Sequence, residues 1–345
     1  MPNIRDVAKR AGVAPITVSR VINNSGYVSD ETRRRVEEAI DELGYVPNML
    51  GPSLRFNRTN TLALLVSDIT NPFWTTVVRG VEDAANENGY YIILGNTDES
   101  EEKVTEYLDM MLRRRIDGFL LVPGKSNSAS VQMIREQNIP VVVLDRQVSD
   151  PKVDVVRSDS RGGAYQLTQH LLALGHQHIS ALTGSHHIST STDRVTGYTQ
   201  AMTEANLSPD AIRVFWGDFT QTSGFEMTKQ ALAVDPPPTA LLAANNFIAI
   251  GALKYLREAG VRVPEDISLV AFDDLPLSLT IDPFLTVAVQ PAYEMGYQAT
   301  ELLLNRLSNG TTRDSKEIIL PVEIVVRKST GSPQKGNSLT GELRL

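Results

Sequence analysis

From Thr61 onward the chain alternates short apolar runs rich in β-branched residues with amphipathic segments of helical period, and few folds satisfy that pattern. The apolar runs lie at 62–67, 90–95, 118–122, 141–145, 179–184, 240–244, 269–272 and 287–290, with helical patterns at 75–88, 103–115, 162–174, 249–259 and 292–307 between them. Strand followed by helix, repeated, specifies βαβ units and therefore parallel sheets with helices on both faces. About 270 residues is large for one such sheet, so two lobes are expected. In open α/β sheets, ligands sit outside the carboxyl ends of the strands. Polar residues gather at those ends here: Ser67-Asp68-Ile69-Thr70-Asn71-Pro72-Phe73-Trp74, Asp145-Arg146, Asn245-Asn246 and Asp273-Asp274. Side chains that donate and accept in fixed geometry, beside aromatic faces, suit a small polyhydroxylated ligand.

The first sixty residues follow another pattern. Ile4, Val7, Ala8 and Ala11 are spaced as one face of a short helix, with Asn3 placed to cap it and Gly12 to turn the chain. A second helix is expected from Pro15 to about Ile22, with Val18, Val21 and Ile22 inward and Thr17, Ser19, Arg20 and Asn23 outward. A third is expected after Ser29, through Val36, Ala39, Ile40 and Leu43 to Gly44. Two short helices joined by a turn and braced by a third form a helix-turn-helix, whose second helix enters the DNA major groove. Pattern alone also fits a three-helix bundle used for protein contacts.

Charge favours the first of these. The chain carries a net charge of −8, yet residues 1–60 hold nine Lys/Arg against seven Asp/Glu. A basic head on an acidic body lets one region meet phosphates while the remainder repels them.

The run IRDVAKRAGVAPITVSRVINNSGYVSDETRRRVEEAIDELGYVPN resembles the DNA-binding head of the lactose/galactose-repressor family of bacterial transcriptional regulators. The resemblance implies that Pro15 and Ile16, at the start of the second helix, read bases. Both are apolar, which suits a thymine methyl. Arg20 stands at the family's guanine-reading position, and Thr17, Ser19, Asn23, Tyr27 and Thr32 at positions that mostly hold phosphates. Ala14 replaces the family's usual serine, removing one helix cap at a cost of about 1 kcal/mol. After Pro47, the family has a hinge helix that orders on operator DNA, with a leucine matching Leu54 wedged into the minor groove. Gly51-Pro52 departs from that pattern, and a weaker or later-starting hinge helix is expected, with a flexible linker as the alternative.

The body resembles the same family and the periplasmic sugar-binding proteins, to about Lys328. The resemblance implies an effector site built from Asn71, Phe73, Trp74, Asp145, Arg146, Arg194, Phe219, Asn245, Asp273 and Gln290. Asn246 stands where the family more often has aspartate. A sugar bound between the lobes is expected to modulate operator affinity; a nucleobase or a partner protein is the alternative input.

Other chemistry finds little support. The sequence has no cysteine, no phosphate-binding loop, no G-x-S-x-G elbow and no H-E-x-x-H, so no enzyme, cofactor or metal is expected. His176, His178, His186 and His187 read as ordinary surface or loop histidines. The N-terminal residues lack an apolar signal core and no apolar run reaches the roughly 20 residues of a membrane span, so a cytoplasmic protein is expected. The reading is therefore an all-α helix-turn-helix head (1–46), a hinge (47–60) and a two-lobed, periplasmic-binding-protein-like α/β body with parallel sheets (61–330). Lobe 1 takes about 61–160 and 291–320, and lobe 2 about 161–290 and 321–330. The Gly/Ser/Lys-rich segment 331–345 is expected to be disordered, and its lack of leucine heptads points to a homodimer on pseudo-palindromic double-stranded DNA.

Overall fold

The computed structural model describes residues 2–46, 58–125, 129–150, 152–274, 282–309 and 314–334. The chain divides into two compact units between Thr59 and Asn60. Most of the expected hinge, including Gly51-Pro52 and Leu54, lies outside the described residues.

The first unit is three helices. α1 (Ile4–Ala11) begins with a reciprocal cap: the Asn3 side chain accepts from the amides of Arg5 and Asp6, and the Asp6 carboxylate accepts from the Asn3 amide at 2.8 Å. Gly12 ends it in the left-handed conformation at φ 64°. α2 (Pro15–Ile22) starts from Ala14 with no side-chain cap, leaving Pro15 at its first position. α3 (Asp30–Leu43) is capped by Ser29 and closed by Gly44. Val7, Val18 and Val36 are fully buried at the junction, each contributing about 1.5 kcal/mol of apolar burial.

The second unit holds two six-stranded sheets. The first contains β1 (Thr61–Val66), β2 (Tyr91–Asn96), β3 (Gly118–Leu121), β4 (Val141–Leu144), β5 (Asp154–Ser158) and β11 (Glu317–Leu320), ordered β11-β5-β4-β3-β1-β2. The second contains β6 (Ile179–Thr183), β7 (Arg213–Trp216), β8 (Ala240–Ala243), β9 (Ser268–Phe272), β10 (Thr286–Val289) and β12 (Glu323–Val325), ordered β12-β10-β9-β8-β6-β7. All pairings are parallel except that of β10 with β12.

Each sheet is covered on both faces, which is why its central strands are almost wholly apolar. Along β1, Leu62, Leu64 and Val66 pack under α4 (Pro72–Glu87) and α11 (Ala292–Asn309). Ala63 and Leu65 face α5 (Glu101–Arg113) and α6 (Ala129–Glu136). In the second lobe, Leu241 and Ala243 of β8 pack with α9 (Gln221–Leu232) and α10 (Asn246–Glu258). Leu242 faces α7 (Ser160–Ala173) and α8 (Ser189–Glu204). Paired helices meet backbone to backbone through reciprocal glycines. A Cβ on Gly80 of α4 would lie 2.1 Å from the Tyr293 carbonyl oxygen, and one on Gly296 of α11 the same distance from that of Val77. Gly224 and Gly251 repeat the arrangement between α9 and α10.

The chain passes between the lobes after β5, after β10 and after β11, so both lobes contain non-contiguous sequence. β5, β7, β11 and β12, with α6, α8 and α9, were not anticipated from the sequence pattern. Two expectations need correction. His176 lies in the loop before β6 but is 2% exposed rather than at the surface: its ring contacts Thr239 Oγ1 (2.9 Å), Ser268 Oγ (3.0 Å) and the Gly331 carbonyl (2.8 Å), and burial lowers its pKa. Gly331 is thus part of lobe 2, its amide donating to Ser268 Oγ at 3.0 Å. Backbone bonding outweighed its disorder-prone composition; residues 335–345 lie outside the described residues.

Candidate functional site

The two lobes end a central strand in the same way. Directly after β4 and after β9 stands an aspartate in the left-handed conformation, Asp145 at φ 63° and Asp273 at φ 64°. Each amide still bonds to the neighbouring strand, Asp145 to the Val156 carbonyl (2.9 Å) and Asp273 to that of Ala288 (3.0 Å). Non-glycine residues rarely adopt this conformation, and here it occurs at the strand ends that face the interlobe cleft. Both aspartates are 6% exposed. Burial raises both pKa values, that of Asp273 to about 6, while the charge of Arg194 opposes the shift on each. Asp273 Oδ1 accepts from Gln290 Nε2 at 2.6 Å; Asp145 Oδ1 has no partner within the described residues.

Arg194 of α8 is fixed from three directions. Its Nη1 donates to the Ala244 carbonyl, its Nε to Ser160 Oγ at 3.3 Å, and the guanidinium lies 4.1 Å from the Phe272 ring centroid. Arg146 is held from lobe 1 alone: Nη1 donates to Glu99 Oε2 (2.6 Å) and to the Pro123 carbonyl (2.6 Å), and Nη2 to Glu99 Oε1 (2.5 Å). Its Nε is buried without a hydrogen-bond partner, 4.0 Å from Asp145 Oδ2.

Helix starts supply the amides and rings. Asn71 caps α4, its Oδ1 accepting from the Phe73 amide at 3.0 Å, and Phe73 and Trp74 follow edge to face at 4.8 Å. Asn245 caps α10 through the Ile248 amide at 2.8 Å, and its Nδ2 reaches the Phe219 carbonyl at 3.4 Å. Asn246 does not line the cleft but crosses it. Its amide exchanges two hydrogen bonds with Asn71, of 3.0 and 2.9 Å, joining the lobes. Gln147 to Ser189 (2.8 Å) and Arg157 to Asp193 (3.8 Å) also bridge them.

All ten residues expected at an effector site line one cavity of about 540 Å³ between the lobes. The wall also includes Asp98, Glu99, Lys125, His187, Asp218 and Thr220, which sequence reasoning missed. Among the described residues no group of three or more His, Asp or Glu is placed to hold a metal ion.

On the head, the exposed side of α2 and the following loop carry the other expected contacts. Pro15, Ile16 and Arg20 are exposed, Ile16 at 58%, and Tyr27 projects at 91%. Thr17 and Ser19 are half-buried; the Asn23 amide folds back onto Ser19 (2.8 Å to its carbonyl), and Thr32 accepts from Ser29 Oγ at 2.9 Å. A tyrosine and an isoleucine this exposed gain nothing from packing within the head.

Comparison with known proteins agrees with both halves. Residues 3–48 match the model for bacterial regulatory proteins of the lacI family. Residues 59–328 match that for periplasmic binding proteins and the sugar-binding domain of the LacI family. The chain is 35% identical over 330 residues to the HTH-type transcriptional repressor PurR of Aliivibrio salmonicida (strain LFI1238), covering 95% of this chain and 99% of that one. The transcriptional regulator CelR–cellobiose complex is similar at 34% identity and TM-score 0.72, over 95% and 100% of the two chains. The lac repressor dimer bound to operator and the anti-inducer ONPF is similar at 30% identity and TM-score 0.83, over 96% and 99%. The chain therefore belongs to the LacI family of bacterial regulatory proteins, a family of DNA-binding transcriptional regulators rather than enzymes.

Proposed function

We propose that this protein is a cytoplasmic, homodimeric repressor of a carbohydrate-utilisation operon, whose operator affinity is set by a small sugar held between the lobes. The observation that carries this reading is the pair of buried, left-handed aspartates, one from each lobe, lining a single cavity with the Phe73, Trp74 and Phe219 rings. Carboxylates accept from vicinal hydroxyls while rings cover the C–H face of a pyranose or furanose. Because ligand contacts come from both lobes, binding would favour the closed arrangement over an open one. In a dimer this biases the spacing of the heads. Coupling of this kind is typically about 1–3 kcal/mol, a 5- to 150-fold change in affinity for DNA.

On the head, we assign base reading to Pro15, Ile16 and Arg20, phosphate contacts to Thr17, Ser19, Asn23, Tyr27 and Thr32, and a minor-groove wedge to Leu54. Arg20→Ala should cost about 1–3 kcal/mol at one base pair and relax specificity there. An equal loss on every sequence would make Arg20 a phosphate contact. A nucleobase effector is the second reading, favoured by the name of the relative that matches along 95% of the chain. Calorimetric titration with pentoses, hexoses, disaccharides and free purines separates the two. Binding of a sugar alone supports the proposal, and binding of a purine alone replaces it.

A further inference from the structure

Among the described residues the cavity wall carries six carboxylates, Asp68, Asp98, Glu99, Asp145, Asp218 and Asp273, against the cations of Lys125, Arg146 and Arg194. The two buried cations are already engaged by the protein. Arg194 is held by the Ala244 carbonyl, Ser160 and the Phe272 ring, and both Nη atoms of Arg146 are held by Glu99. We propose that the cleft takes uncharged ligands and rejects anionic ones, and that Glu99 is the specificity-determining residue that sets this rule. The proposal rests on reading the cleft as a ligand site, and it holds alike for a sugar or a nucleobase.

A guanidinium with a free planar edge, in a cavity of low dielectric, is a ready site for a carboxylate or phosphate. Arg146, with its side chain 3% exposed, would be such a site if nothing covered that edge. The chain covers it from a loop in unusual conformation: Asp98 and Glu99 are consecutive residues of positive φ, at 49° and 58°. The loop is tied down on either side. Thr97 donates its amide to the Val66 carbonyl at 2.9 Å, Asn96 Nδ2 donates to Asp98 Oδ1 at 2.6 Å, and Lys103 pairs with Asp98. That conformation puts the Glu99 carboxylate bidentate on Arg146. An anionic ligand would have to displace Glu99 and then face the remaining carboxylates. A neutral hydroxyl or amide has no such ion pair to displace, and the cavity-lining residues Asp145 and Gln290 each keep a buried oxygen, Oδ1 and Oε1, without a hydrogen-bond partner.

The test uses the full chain and pairs of probes that differ in charge: D-ribose with D-ribose 5-phosphate, D-glucose with D-glucuronate, and hypoxanthine with inosine 5′-monophosphate. Calorimetry is run on the wild type, on the near-isosteric Glu99→Gln and on Glu99→Ala, with circular dichroism confirming that each variant folds. The expected result is that the wild type disfavours the charged member of any pair it binds by roughly thirtyfold or more, and that either variant narrows this ratio by about tenfold. Preference of the wild type for a charged member, or an unchanged ratio in the folded variants, overturns the proposal. If the wild type binds no member of any pair, the ligand reading itself fails. Inorganic phosphate then decides the role of Glu99 separately: millimolar phosphate should raise the melting temperature of the Glu99 variants and not that of the wild type, and equal responses overturn the assignment.

Discussion

Lobe 1 and lobe 2 answer the same structural problem with opposite charges. In each, a left-handed aspartate ends a central strand and the next residue is clamped by a bidentate ion pair. In lobe 1 that residue is the cation Arg146, clamped by Glu99; in lobe 2 it is the anion Asp274, clamped by Arg327. The lobe 1 pair lines the cleft, whereas neither Asp274 nor Arg327 does. The shared part of the device fixes a strained backbone so that a carboxylate meets the cleft. The part that differs lets lobe 1 select ligand charge while lobe 2 supplies a second acceptor.

The largest effect should come from the aspartates. Asp145→Ala or Asp273→Ala should each weaken ligand binding by about 3 kcal/mol, roughly a hundredfold, because each removes a charged acceptor from a dry site. A ligand that tolerates loss of either carboxylate breaks the two-lobed grip.

Next is pH. Asp273 titrates near 6 in the fold against 3.8 as its reference, so the folded state holds its proton more tightly than the unfolded state does. Its contribution to stability is complete below about pH 4 and is lost as pH rises to about 6, an effect on the order of 3 kcal/mol. Ligand that needs the ionised carboxylate should therefore bind more weakly below pH 6, by up to tenfold per unit, and Asp273→Asn should flatten both profiles. A ligand affinity that stays level from pH 7 to 5 contradicts the assignment.

A smaller effect tests the amide bridge between lobes. The Phe73 amide fixes Asn71 Oδ1 as an acceptor, so position 246 must both donate and accept. Asn246→Asp removes the donor and sets two oxygens against each other, which should cost about 1–3 kcal/mol in urea unfolding and open the lobes in solution scattering. Smallest is the pair outside the cleft. Arg327→Lys keeps the charge but loses the fork, and should cost ligand affinity about 1 kcal/mol at most. A larger loss would mean that the lobe 2 clamp also contacts ligand.

Local signals made the head legible. Asn3, Ser29, Gly12 and Gly44 mark helix ends through contacts within a few residues, and α1 and α3 begin and end at the bounds their caps predict, while the uncapped α2 begins at its proline. The body was less legible where elements depend on distant partners. β5, β11 and β12 are short and carry charged residues, and β11 and β12 join sheets whose other strands lie far away in sequence. Eight of the ten cleft residues follow an expected strand or start a helix as well as matching a family position, whereas Arg194, inside α8, and Phe219, after the unanticipated β7, are legible from the family resemblance alone. Glu99 was not, because its meaning depends on Arg146, 47 residues away, and on two positive φ angles that no local pattern announces.

One measurement bears most directly on the coupling of cleft to head. A duplex selected by the full chain from a random pool is titrated by fluorescence anisotropy, alone and with each neutral sugar and purine. The account predicts a pseudo-palindromic selected site and at least one neutral small molecule that changes affinity for it by roughly 5- to 150-fold, with the change abolished by Asp145→Ala. Unchanged affinity with every neutral sugar and purine, or a response that survives loss of Asp145, would contradict it.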